Sequence, residues 1–270
     1  MYSKLFAGIT GCLLFANFIS KGNGMVPFRS TPGVHAVYRG IWGVFDNPAG
    51  IAEIEAFSAG FSYHSQFMLK EMSEQAFALA LPVKKVGCIG LGYHQFGYSL
   101  YKEQHAGLIY ARSFGSVVSA GIRFDYVSTR FGNDYGEAGL FTGSAGIIAR
   151  ITEYLRVGVS IFNPQRSAMP DDKNVRYPAV MQAGLSWTFK GETAISIGVT
   201  KSSQQDKILQ CGFRYQVSKR FLMHAAVSGG SDSFLFGYAF KISKIEIGMA
   251  SGYHQQLGFS PRFLLTFKSK

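Results

Sequence analysis

The chain has 270 residues, 47% hydrophobic and only 16% charged, with a formal net charge of +11. That balance excludes intrinsic disorder, which needs low hydrophobicity and high charge. After residue 24 no stretch reaches the roughly 18 uninterrupted apolar residues of a spanning helix, so a helical membrane protein is excluded as well.

The N-terminus reads as a targeting segment. Lys4 precedes the apolar run Leu5–Ala16, and small or polar residues fill Ser20–Gly24. This is the anatomy of a secretory signal peptide over 1–24, cleaved after Gly24. Ile9-Thr10-Gly11-Cys12 offers a rival lipoprotein box, although Leu13-Leu14-Phe15 carry the apolar run past that cysteine. Without 1–24 two cysteines remain, Cys88 and Cys211; their strand parities place them on opposite faces and predict free thiols.

Residues 25–55 do not alternate. Ser30-Thr31-Pro32-Gly33 opens a turn, 36–45 is mixed with about one helical turn, and Asp46-Asn47-Pro48-Ala49-Gly50 reads as a tight turn. In that turn Pro48 fixes φ, Gly50 allows positive φ, and Asp46 or Asn47 can hydrogen-bond the backbone locally.

From residue 56 onward the period is two, so one side of each segment is oily and the other polar. Val118, Ala120, Ile122, Phe124 and Tyr126 oppose Ser119, Gly121, Arg123 and Asp125; Leu155, Val157 and Val159 oppose Arg156, Gly158 and Ser160. The pattern predicts strands over 56–64, 73–82, 86–96, 105–112, 117–127, 139–151, 154–163, 178–189, 192–200, 207–216, 220–228, 233–241, 243–252 and 259–268. An even number of long strands, with short turns at one end and longer loops at the other (65–72, 97–104, 128–138, 164–177, 201–206, 229–232, 253–258), is the outer-membrane pattern. A soluble β-sandwich is the alternative. Glycine on the polar face, too few charges to coat a soluble surface, and aromatics at strand ends (Tyr63, Tyr93, Tyr110, Tyr126, Trp187, Tyr215) count against it.

The fold class expected is therefore all-β: a transmembrane antiparallel up-and-down β-barrel of about fourteen strands over 56–270. A barrel that wide has lumenal room that side chains alone do not fill, and residues 25–55 are the natural plug.

The stretch Ile41-Trp42-Gly43-Val44-Phe45-Asp46-Asn47-Pro48-Ala49-Gly50-Ile51-Ala52 resembles the start of the PorV/PorQ group of outer-membrane proteins, distant relatives of the FadL-type transporters. Gln95–Tyr101, Ile161-Phe162-Asn163-Pro164 and Tyr253–Gly258 extend the resemblance over most of the chain. It implies a fourteen-stranded barrel in the cell outer membrane with an N-terminal segment folded into its lumen. For function it implies either passage of small hydrophobic molecules, as in FadL-type members, or type IX secretion, as in PorV and PorQ. The partners implied are outer-membrane lipid, a large secretion channel or secreted cargo, and a small hydrophobic ligand. A third reading is a structural protein that plugs or assists a channel without transport.

No enzyme is expected. P-loop, nucleophile-elbow, HExxH and paired CxxC patterns are missing from the sequence, and Gly87–Gly92 lies within an alternating strand rather than before a helix. Ser251 and His254 are near neighbours but carry no hydrolase motif. His64, His94, His224 and His254 point inward from separate strands and predict lumenal hydrogen bonding rather than a metal site; no cofactor is implied. The Lys and Arg are scattered, with no run longer than Lys84-Lys85 or Lys219-Arg220, so nucleic acid is not an expected partner. Candidate lumen and plug residues are Asn47, Pro48 and Gly50, with the inward charges Arg123, Asp125, Arg156, Arg214, Glu246 and Arg262. Buried charges need partners or water, so these six either pack the N-terminal segment or line a polar path. The inward glycines favour packing. Leu222, Leu235 and Leu264 interrupt the polar face and are expected against Trp42, Phe45 or Ile51, or along a greasy route.

Overall fold

The computed structural model describes residues 34–132, 137–168, 176–189, 193–229 and 234–269. The expected signal peptide, and residues 25–33 of the expected plug, lie outside the described residues.

Fourteen strands are present among the described residues: β1 (Ser58–Ser65), β2 (Ser73–Val83), β3 (Gly87–Tyr98), β4 (Tyr101–Phe114), β5 (Val118–Phe131), β6 (Glu137–Arg150), β7 (Leu155–Phe162), β8 (Val180–Thr188), β9 (Ala194–Ser202), β10 (Ile208–Ser218), β11 (Phe221–Ser228), β12 (Phe234–Ile242), β13 (Ile245–His254) and β14 (Gly258–Lys268). Each pairs antiparallel with its sequence neighbours. β1 pairs with β14 from Ser58↔Lys268 to His64↔Arg262, which closes the barrel and leaves no free edge.

All fourteen expected strands are present, with ends shifted by a few residues. One connection differs. Residues 97–104 are not a long loop: β3 runs to Tyr98, β4 starts at Tyr101, and only Ser99 and Leu100 turn the chain. The oily contrast fades there, but Gln95↔Gln104 and Gly97↔Lys102 still pair across the ladder. The remaining alternation holds, with tight turns such as Lys219-Arg220 and Ser243-Lys244 at one end of the barrel and the long β7–β8 connection at the other.

Parity divides each strand. Phe61, Leu91, Leu108, Phe124, Phe141, Ile147, Ile197 and Phe236 stand exposed on the outer wall, while Ala76, Ala78 and Ala80, Ile109 and Ala111, and Ile148 are buried on the inner one. Cys88 is buried inside and Cys211 exposed outside, both as free thiols. Tyr93 and Tyr126 lie within strands longer than the sequence predicts, not at their ends; the Tyr126 ring packs at a tilt against Phe141, with centroids 5.0 Å apart. Among the described residues no helix is long and apolar enough to cross a membrane, which says nothing of strands.

Candidate functional site

The lumen is occupied by the chain's own residues 34–55. They form three short 3-10 turns, His35–Val37, Ile41–Val44 and Pro48–Ile51. The last begins as its composition dictates: the Asn47 side chain accepts from Ala49 N at 3.0 Å, and Pro48 takes the first helical position, where no N–H is needed. Gly50 is required for a different reason than expected. Its φ is not positive; a Cβ there would stand 2.4 Å from the Tyr38 carbonyl oxygen, so the position needs the missing side chain and not the missing φ restriction.

The apolar side of this segment packs against the wall. Ile41, Trp42, Val44, Phe45 and Ile51 form one cluster with Ala76, Ala78 and Ala80 of β2, Cys88 of β3, Ile109 and Ala111 of β4, and Leu264 of β14. Leu264 is thus the inward leucine that meets the segment. Leu222 instead lines an open recess near the β10–β11 turn, and Leu235 is half-buried in the β11–β13 wall. Small wall residues are what make the fit possible. At Gly121 of β5 an added Cβ would sit 2.5 Å from Pro48 C, and at Gly158 of β7 it would sit 2.1 Å from Ala36 O.

Two polar anchors fix the position. Asn47 is fully buried; its amide nitrogen donates to Ala36 O at 2.6 Å and to the wall carbonyls of Ile147 and Val159, each at 3.3 Å. Arg123 donates from Nη1 to Val44 O at 2.7 Å and from Nε to Asp125 at 2.8 Å. Asp125 therefore neutralises the guanidinium that holds the segment, and both side chains are almost wholly buried. A buried pair so placed specifies position more than it adds stability. Two cavities of about 10 Å³ flank Phe45 and Arg123, each with room for about one water.

The other expected charges face inward but do not converge on this anchor. Arg262 meets His64, Nη2 to Nδ1 at 3.2 Å, and His64 meets Glu74 at 3.1 Å. Glu246 lines the recess near the β10–β11 turn, and Arg214 is exposed within the lumen. Arg156 lies directly opposite Arg150 across β6 and β7. Of the six charges, Arg123 bonds the segment directly, with Asp125 as its ion partner. Ser251 and His254 lie on opposite faces, with His254 Nδ1 accepting from the Gln256 and Leu257 amides, so they form no catalytic pair.

A second polar cluster was not legible from the sequence. Tyr177, in the β7–β8 connection, reaches into the lumen and donates to Glu103 at 2.8 Å, beside His105 at 3.1 Å; His105 also meets Glu103 at 2.7 Å. Burial pushes the Tyr177 phenol well above its ordinary value, and the Glu103 charge adds to this, so it stays a donor. Buried Asn163 ties the same connection down, donating to Tyr177 O and accepting from Thr142, both at 2.8 Å. The β3–β4 register brings His105 opposite His94.

No protein-family model matches the chain, and no curated protein matches it. Solved structures do. A Pseudomonas aeruginosa FadL homologue matches with a TM-score of 0.64 at 11% identity, over 91% of this chain and 99% of that one. The Ralstonia pickettii toluene transporter TbuX matches with a TM-score of 0.65 at 10% identity, over 88% and 98%. The monoaromatic hydrocarbon channel CymD matches with a TM-score of 0.60 at 13% identity, over 86% and 92%. At these identities the likeness is one of fold. It carries the FadL-like part of the resemblance, and the PorV/PorQ part finds no support in it.

Proposed function

We propose that this chain is an outer-membrane β-barrel that passes small hydrophobic molecules, with 1–24 as its signal peptide, 25–55 as a lumenal plug and 56–270 as the wall. One observation carries the reading: an apolar outer wall surrounds a lumen that the chain's own N-terminal segment fills. Lipid solvates such a wall, and a single-layer barrel satisfies every backbone group within it. The fold shared with hydrocarbon channels supports the substrate class. Asn47, Pro48, Gly50, Arg123 and Asp125 are the residues that would hold the plug.

Two experiments test this. Phe124 is 68% exposed, in the middle of β5. Phe124→Arg is expected to cost about 2–4 kcal/mol near a bilayer midplane, read as a lower urea midpoint for folding into vesicles. An unchanged midpoint removes the lipid-facing assignment. Expression in Gram-negative cells, whose outer membrane slows hydrophobic solutes, is expected to raise uptake of a labelled monoaromatic compound.

The tightness of the packing around Phe45 and Arg123 favours a second reading, a filled barrel that accompanies a secretion channel without passing solutes. It predicts no gain in uptake and a large partner retained in a mild-detergent pull-down.

A further inference from the structure

The sequence scatters its cations, but the fold gathers several of them at the tight-turn end of the barrel. Lys84 and Lys85 occupy the β2–β3 turn, Lys219 and Arg220 the β10–β11 turn, and Lys244 the β12–β13 turn. Inside that rim four guanidinium groups share one region. Arg39 comes from the lumenal segment, Arg150 and Arg156 from β6 and β7, and Arg214 from β10. Arg156 feels the charges of the other three and of Glu53.

The arrangement is short of negative charge. Arg150 and Arg156 are direct cross-strand partners on the inner face, a placement that like charges make unfavourable. One carboxylate oxygen serves two of the arginines: Glu53 Oε2 lies 2.5 Å from Arg39 Nη2 and 3.6 Å from Arg150 Nη2. The Nε atoms of Arg39, Arg150 and Arg156 are shielded from solvent and have no hydrogen-bond partner. Among the described residues Arg156 has no ion pair. Beside Arg39 and Arg150, with Arg156 across the ladder from Arg150, opens a recess of about 490 Å³, lined also by Glu53, Glu55, Ser113 and Ser119. Glu55 is exposed at the recess, and Glu53 is engaged, also accepting from Ser119 at 3.5 Å.

We propose that this end of the lumen is a binding site for a phosphate-type oxyanion, with Arg150 and Arg156 as its principal ligands and Arg39 and Arg214 as flanking charges. Guanidinium forks match phosphate oxygens in pairs, and a multiply charged anion between Arg150 and Arg156 turns their repulsion into a bridge. The rim lysines raise the local concentration of such an anion. The phosphate belongs either to a free phosphate compound or to a lipid headgroup at the rim; the chemistry is the same. The site rests on the lumenal placement of residues 34–55, since Arg39 and Glu53 belong to that segment, but it shares no residue with the Asn47 and Arg123 anchors.

The test uses the full-length protein in detergent. Isothermal titration with pyrophosphate, against chloride at equal ionic strength, reads the free anion. Native mass spectrometry of retained phosphatidylglycerol, against diacylglycerol of the same chains, reads the headgroup. Arg150→Gln/Arg156→Gln is expected to weaken binding of whichever ligand is held by at least tenfold, with heat-modifiable gel mobility unchanged. Arg214→Gln, at an exposed position, is a second variant, expected to weaken it by a few-fold. Pyrophosphate binding that the double variant loses supports a free phosphate ligand; phosphatidylglycerol retention that it loses, without pyrophosphate binding, supports the headgroup. If neither ligand binds the wild type, or if wild type and both variants bind alike, the site does not exist.

Discussion

Asn47→Leu is expected to release the lumenal segment while the barrel stays closed. The side chain is fully buried, and its amide makes three donor contacts and accepts one. Leucine has similar bulk and can make none of them. Two of the donor contacts reach the wall, and at about 1 kcal/mol per hydrogen bond losing them costs about 2 kcal/mol of docking, or roughly thirtyfold in the docked fraction. None of these contacts belongs to the strand ladders, so heat-modifiable mobility should be retained. The segment itself reports the change. Arg39 is the only Lys or Arg in residues 34–55. Trypsin cleavage after Arg39 should accelerate strongly, and conductance in planar bilayers should rise. Cleavage at the wild-type rate would show that Asn47 does not hold the segment.

Gly121→Val is expected to reach the same state from the wall side. A Cβ at Gly121 meets Pro48 C, Pro48 O and Ala49 N at 2.5, 2.6 and 2.7 Å, all backbone atoms that cannot rotate away. Overpacking of this kind costs about 1–3 kcal/mol or more. Valine is nevertheless the better strand residue, so β5 itself gains. The wall is expected to persist and the segment to leave, with conductance rising as for Asn47→Leu. Gly248→Ala is the matched control: the nearest atom to its new methyl group is Leu264 Cβ at 3.4 Å, an ordinary contact. Conductance in Gly248→Ala should match the wild type. Equal conductance in Gly121→Val and wild type would mean that Pro48 does not occupy this trench.

The wall was legible because nothing competes with its period. In a single-layer barrel each residue has only two environments, and Val118 through Tyr126 alternate between them without a third layer to blur the signal. Where the oily contrast stops, the reading stopped too. Gln95, Lys102 and Gln104 put polar side chains on the outer face, so 97–104 has the composition of a loop although β3 and β4 continue through it. The lumen was legible only by halves. Parity places Arg123, Arg156, Arg214, Glu246 and Arg262 inside, but it gives neither their height nor which side of the lumen the N-terminal segment fills. That depends on distant pairings such as Asn47 with the Val159 carbonyl, 112 positions away. Composition marked Gly50 as special and misjudged why, since a glycine needed for close approach looks the same in sequence as one needed for positive φ. Glu103 and Tyr177 gave no signal, because both lie in stretches that lacked a clear period.

The seam between β1 and β14 has a consequence for how the molecule is made. Ser58 pairs with Lys268, so β14, made after the other thirteen strands, completes the enclosure of the first strand. The segment ahead of Ser58 is joined to β1 by only a few residues after Ile51. A segment tethered so closely to β1 lies within the ring that β14 closes. A chain that stops before β14 would keep two unpaired edges, prone to joining other chains, and would lose the Leu264 contact with the segment.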